Sequence, residues 1–142
     1  MRTKLLFVSI LSILFSSHSI FAQDRWDNIE ITSQHVSKSV HMLQGAGGNI
    51  GVSAGEEGIL IIDDQFAPLA EKIASAIGSI AKTPMKFVVN THYHGDHTGS
   101  NAYFSEVQNS TIFAHHNVRK RLAAKDDHKH AELPVITYQQ GV

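Results

Sequence analysis

Cysteine is absent from the 142-residue sequence. That excludes a disulfide framework, a thiol nucleophile, and iron–sulfur or cysteine-type structural zinc sites. A surplus of positive charge is also lacking, since 12 Lys and Arg face 13 Asp and Glu. Such a balance leaves no electrostatic footprint for nucleic acid. No apolar run is long enough to span a membrane: the stretch at residues 5–15 falls short of the ~20 residues required. Internal repeats and low-complexity segments are missing too.

The short apolar stretch has another reading. Arg2 and Lys4 precede it, and small residues follow it up to Ala22. This is the pattern of a secretory signal peptide over residues 1–22, cut before Gln23. It predicts export, to the periplasm or outside the cell, with no membrane association once the leader is removed. Residues 23–142 are then enough for one modest domain.

Along that domain, a strand is expected near residue 37 and another from residue 40. GAGG at residues 45–48 forms a turn, and strands follow at residues 49–54 and 58–62 around a second turn at residues 55–58. A phosphate loop is excluded at residues 45–48, because no lysine and no helix follow. The run ILII at residues 59–62 predicts a strand buried on both faces. Pro68 opens a helix whose Leu69, Ile73, Ala76, Ile77 and Ile80 recur at helical spacing, a core stripe. A strand at residues 85–89 comes next, then a helix from Thr98 with that residue as its cap. A further strand at residues 111–114, a basic helix at residues 116–124 and a last strand at residues 133–138 complete the order. An antiparallel start followed by strand–helix alternation predicts an α/β fold with a mixed sheet.

The chemistry is concentrated in NTHYHGDHTGSN, residues 90–101. Four side chains able to bind a transition metal, His92, His94, Asp96 and His97, fall within six residues just after a strand. Imidazole with carboxylate suits zinc, iron or manganese. Residues two apart on an extended segment face the same way, so His92 and His94 can reach one ion. A tight turn at Gly95 can swing Asp96 and His97 towards a second. The other histidines read differently. His115 and His116 suit a helix cap or a surface pair, His128 and His130 a solvated loop, and His35 and His41 are incidental.

The run His92-x-His94-x-Asp96-His97, with Thr91 before it and Thr98-Gly99 after it, resembles the signature of the metallo-β-lactamase superfamily. The flanking glycine-rich strand pair and ILIIDD at residues 59–64 agree, so that the resemblance covers residues 40–138. It implies a metallo-β-lactamase-like αββα sandwich, of which residues 23–142 supply the N-terminal half. It assigns His92 and His94 to a first zinc and Asp96 and His97 to a second, with Asp96 also in the catalytic set. Iron or manganese in place of zinc is compatible. A hydroxide held between the two ions would attack an ester, thioester, lactone or amide carbonyl of a small-molecule substrate. Asp63 and Thr91 would orient the ligands, although Asp63 could instead cap the next turn. Ser100 stands where much of the family has glycine, with little consequence expected for metal. The family completes its site with a later His, a bridging Asp and a final His, and nothing here matches them. The resemblance therefore points to a missing C-terminal half, without which a large apolar face is left open. Two other readings stand beside the hydrolase: an iron-dependent relative, such as a sulfur dioxygenase or oxygen reductase, and a non-catalytic module.

Overall fold

The computed structural model describes residues 25–140. The leader expected at residues 1–22 lies outside them. Seven strands form one sheet in chain order: β1 (Thr32–Ser37), β2 (Val40–Gln44), β3 (Ile50–Gly55), β4 (Gly58–Ile62), β5 (Met85–Asn90), β6 (Thr111–His115) and β7 (Ile136–Tyr138). The first four are antiparallel and the rest join in parallel, giving the mixed α/β sheet that the sequence predicts. The tight turns dictate this switch. Gly55 pairs with Gly58 across a two-residue hairpin, where Gly58 takes φ +135°. The later links are too long for hairpins and cross over the sheet instead.

Four helices make those crossovers: α1 (Ala70–Ile80), α2 (Gly95–Thr98), α3 (Asn101–Glu106) and α4 (His116–Ala123). Pro68 lies in a short 3₁₀ turn, Ala67–Leu69, that leads into α1. The stripe read from the sequence is core: Leu69, Ile73 and Ile77 are buried against Ile59, Ile61, Val88, Phe104 and Ile112. Val118 and Leu122 of α4 pack with Ala114 and Leu133 on the same side of the sheet. Burying each such side chain contributes about 1.5–3 kcal/mol. Ahead of β1, Lys72 of α1 donates to the carbonyls of Trp26, Asp27 and Ile29, which fastens the N-terminal segment to the helix layer.

Two expectations need correction. β4 is not buried on both faces: Ile59 and Ile61 are buried, but Ile62 is 43% exposed and Leu60 only half-buried. Both helix clusters lie on one face, so the other carries Val40, Ile62, Phe87 and Ile136, all exposed. On that open face Phe87 and Phe113 meet edge to face at 5.5 Å. Thr98, in turn, does not start a helix. It ends α2, where it is buried and donates its hydroxyl to the His94 carbonyl. Helical turn already begins at Gly95, and α3 starts separately after Ser100. The last strand is also shorter than expected, confined to three residues after Pro134.

No helix among the described residues is long and apolar enough to cross a membrane.

Candidate metal centre

β4 and β5 run parallel, with Ile62 beside Val89, so the segments leaving their carboxyl ends emerge together at one edge of the sheet. Carboxyl ends of parallel strands are where open α/β sheets place ligands. β4 leads into Asp63, and β5 leads through Thr91 into His92. The amide of Asp63 bonds to the Val89 carbonyl and that of Asp64 to the His97 carbonyl, which stitches the two segments together. Asp63 (φ +62°) and Gln65 (φ +55°) both take the left-handed backbone region unusual for residues with side chains. A chain that doubles back there turns the Asp63 carboxylate towards the motif and keeps it almost fully buried.

That carboxylate accepts three hydrogen bonds, each 2.7 Å: from the Thr91 amide, the Thr91 hydroxyl and His97 Nδ1. The Thr91 hydroxyl, having given its proton to Asp63, accepts from His92 Nδ1 at 3.0 Å. Both Nδ1 atoms are engaged in these bonds, so Nε2 is the nitrogen each ring turns to the rest of the motif. His92 Nε2 lies 3.2 Å from His94 Nδ1, and His97 Nε2 lies 3.3 Å from Asp96 Oδ2. Two donors on one tetrahedral zinc, each about 2.0–2.2 Å from it, sit roughly 3.3 Å apart. Both pairs match that separation, and the rings of His92 and His97, tilted at 51° with 3.9 Å between centroids, join them into one cluster. Among the described residues no three His, Asp or Glu side chains gather as ligands of a single ion. The donors come two by two, which fits two ions that each take further ligands from elsewhere.

Several residues that hold this cluster were not singled out in the sequence. Asn90 and Asn101, both fully buried, exchange amide hydrogen bonds at 3.0 and 2.9 Å. Asn90 also donates to the His97 carbonyl and Asn101 to the Glu132 carbonyl. An Asn closing a buried strand and another eleven residues on were the available signal. Tyr93 lies against His94 on one side and under the Arg121 guanidinium on the other. Ser100, noted in the sequence only as a departure from the family's glycine, is buried, donating its amide to Asp64 and its hydroxyl to the Phe66 carbonyl.

The other histidines among the described residues stay apart from the cluster. His115 caps α4, accepting from the Asn117 amide, and donates Nε2 to the Gln139 carbonyl. His116 is exposed at the start of α4. His128 bonds to the Lys125 carbonyl in an exposed loop, and His130 begins a 3₁₀ turn. His35 and His41 meet edge to face across β1 and β2.

Asp64 is fully buried, and burial pushes its carboxyl well above the usual range. The Ser100 amide opposes that shift and the neighbouring Asp63 charge adds to it. Its Oδ2 has no hydrogen-bond partner, so no donor on that oxygen offsets the cost of burying a charge. A raised folded-state pKa means that stability is greatest below the ordinary carboxylate value of about 3.9 and declines as pH rises towards the folded value. Asp64→Asn keeps an acceptor for Ser100 and cannot ionise. It is expected to remove that decline, so that its melting temperature changes less than the parent's between pH 4.5 and 8. Parallel pH profiles would show that Asp64 does not behave as a neutral acid.

The family profile described as the metallo-beta-lactamase superfamily matches residues 47–137, more than half of the chain. Comparison with curated protein sequences returns no match. Among solved structures, the Cronobacter sakazakii metallo-β-lactamase with a HARLDQ motif superposes with a TM-score of 0.64 at 16% identity, over 85% of this chain and 49% of that one. A metallo-β-lactamase from Pontibacter korlensis gives 0.62 at 20%, over 80% and 54%. The subclass B3 enzyme MEM-A1, from a soil metagenome library, gives 0.61 at 24%, over 80% and 45%. These likenesses show the fold, and the chain spans about half the length of the structures it matches. From the profile, the mixed sheet and the N-terminal span shared with these structures, the chain belongs to the metallo-β-lactamase superfamily.

Proposed function

We propose that this chain is the N-terminal half of an exported, zinc-dependent hydrolase acting on a small molecule with an ester, thioester, lactone or β-lactam-like amide carbonyl. The observation that carries the reading is the pairing of donors: His92 with His94 and Asp96 with His97, each pair at the spacing two ligands of one ion adopt. His92 and His94 would hold one zinc, and Asp96 and His97 the other. A bound pair of zinc ions supplies an acidified water and polarises the carbonyl to be attacked. This chain's residues contribute orientation. Asp63 and Thr91 fix which nitrogens of His92 and His97 are free, and Asn90 holds the backbone turn between them. Asp96, a third exposed at its side chain, and His94, exposed, are the donors most open to an incoming substrate.

The other ligands, and the loops that choose the substrate, would come from a second αββα half. The apolar sheet face bearing Ile62, Phe87 and Ile136 supports that partner, since a patch of this kind needs a cover. The pattern at residues 1–22 supports export to the periplasm or beyond, and the charge balance argues against nucleic acid.

A protein carrying both halves is expected to hydrolyse at least one of a chromogenic β-lactam, a thioester and a lactone. Chelation should abolish the activity, zinc should restore it, and His92→Ala should reduce it to background. Restoration by iron alone, with oxygen consumed, would contradict the proposal.

A further inference from the structure

The loop joining β2 to β3, Gly45-Ala46-Gly47-Gly48, carries no metal donor and no charge, yet it lies directly against the second donor pair. A methyl on Gly48 would sit 2.5 Å from Cε1 of His97, 2.8 Å from Nε2 and 3.1 Å from Nδ1. The imidazole therefore rests on bare glycine backbone. A methyl on Gly47 would sit 2.6 Å from the Asp96 Cβ and 3.3 Å from its Oδ2. The two positions have different reasons to be glycine. Gly47 takes φ +86°, a turn conformation that favours glycine by itself. Gly48 does not have a positive φ, so its backbone would accept alanine, and what excludes a side chain there is the His97 ring.

A third residue holds the loop in place. Gln65 is fully buried, at the positive-φ turn after β4, and donates its amide to the Gly48 carbonyl. Gly45 makes room for it, since a methyl there would lie 2.7 Å from Gln65 Oε1. Each of the three thus has a distinct task in one assembly.

We propose that this loop is a positioning clamp for the second metal pair: Gly47 and Gly48 form the wall against which Asp96 and His97 are set, and Gln65 latches that wall to the end of β4. The clamp rests on the reading of Asp96 and His97 as metal donors. Its mechanism is geometric. Asp63 holds the His97 ring at its Nδ1 edge, and Gly48 bounds the same ring across Cε1 and both nitrogens. A methyl at residue 48 would have to move the ring or the loop by roughly an ångström to reach ordinary contact distance. Moving the ring stretches the bond to Asp63 and turns Nε2 away from Asp96. His92 and His94 are absent from the nearest neighbours of all three glycines. The clamp therefore acts directly on one donor pair, and reaches His92 only through its ring contact with His97.

The test uses the full chain, labelled with ¹⁵N-histidine, as Gly48→Ala and Gln65→Met. Gly78→Ala is the control, because nothing lies within 4 Å of a methyl there. Without metal, the hydrogen-bonded Nδ1 proton of His97 is expected to shift or vanish in Gly48→Ala and to persist in the control. On titration with zinc, the response of His97 should weaken about tenfold or more, the size of effect typical when a ligand loses its support. The response of His94 should change least, with His92 intermediate through its ring contact with His97. Gln65→Met, which adds no bulk, should shift the same signals less, and it decides the matter if Gly48→Ala does not fold. An unchanged His97 signal in both variants would overturn the clamp, as would equal weakening at all three histidines. A parent chain whose zinc response bypasses His92, His94 and His97 would refute the metal reading, while the metal-free His97 signal would still decide whether the loop sets that ring.

Discussion

Asp63→Ala is expected to lower stability by about 3 kcal/mol and zinc affinity by roughly 10–100-fold. The carboxylate accepts from the Thr91 amide, the Thr91 hydroxyl and His97 Nδ1, and alanine replaces none of these acceptors. Each buried donor left without a partner costs about 1–3 kcal/mol, and water can reach part of the vacated space, so the total falls well short of three full penalties. The effect on metal has two routes. His97 loses the acceptor that holds the proton on Nδ1 and turns Nε2 towards the metal pair. His92 loses the same control indirectly, because the Thr91 hydroxyl that faces it no longer has a carboxylate to donate to. Asp63→Asn should fall between the two, since its oxygen can still accept from Thr91 while its amide confronts another donor. Urea denaturation and zinc titration of the three proteins read both effects. Loss of stability with undiminished zinc affinity would mean that Asp63 is a structural cap and nothing more.

The second large effect is expected at the buried amide pair. Asn101→Leu keeps the branched shape and heavy-atom count but strands both the Asn90 amide and the Glu132 carbonyl, at a cost of about 2–4 kcal/mol. The loss reaches the motif because Asn90, freed from its partner, is no longer held in place to donate to the His97 carbonyl. Asn90→Leu should cost a similar amount. The double variant should cost less than the sum, with a coupling energy of about 1 kcal/mol or more, since neither partner is then left orphaned by the other. Additive costs would show that the two amides act independently.

These residues also mark what could be read without a structure. His92, His94, Asp96 and His97 were legible because their geometry is local: a strand end, a two-residue repeat and one turn fix their relative positions. The strand–helix order was legible for the same reason. Asn90 and Asn101 were not, since an amide pair eleven residues apart is recognisable only once the chain has folded back on itself. Gly48 was read as part of a hairpin, which it is, but the ring that forbids a side chain there belongs to a segment nearly fifty residues later. The misjudged strand, β4, has a different cause. An unbroken ILII run looks the same whether its second face is covered by its own helices or left open, and here α1, α3 and α4 pack on one side. Thr98 was misplaced because a Thr before an apolar stretch signals a cap, whereas Gly95 had already begun the helical turn that Thr98 ends.

The most direct test of the account is equilibrium dialysis of the 142-residue chain against zinc, beside a variant with His92, His94, Asp96 and His97 all replaced by alanine. The variant keeps the other seven histidines, which control for adventitious binding, and circular dichroism checks that it is folded. The account predicts that zinc held by the parent, up to two ions per chain, disappears from the variant. Equal zinc uptake by both proteins would contradict it.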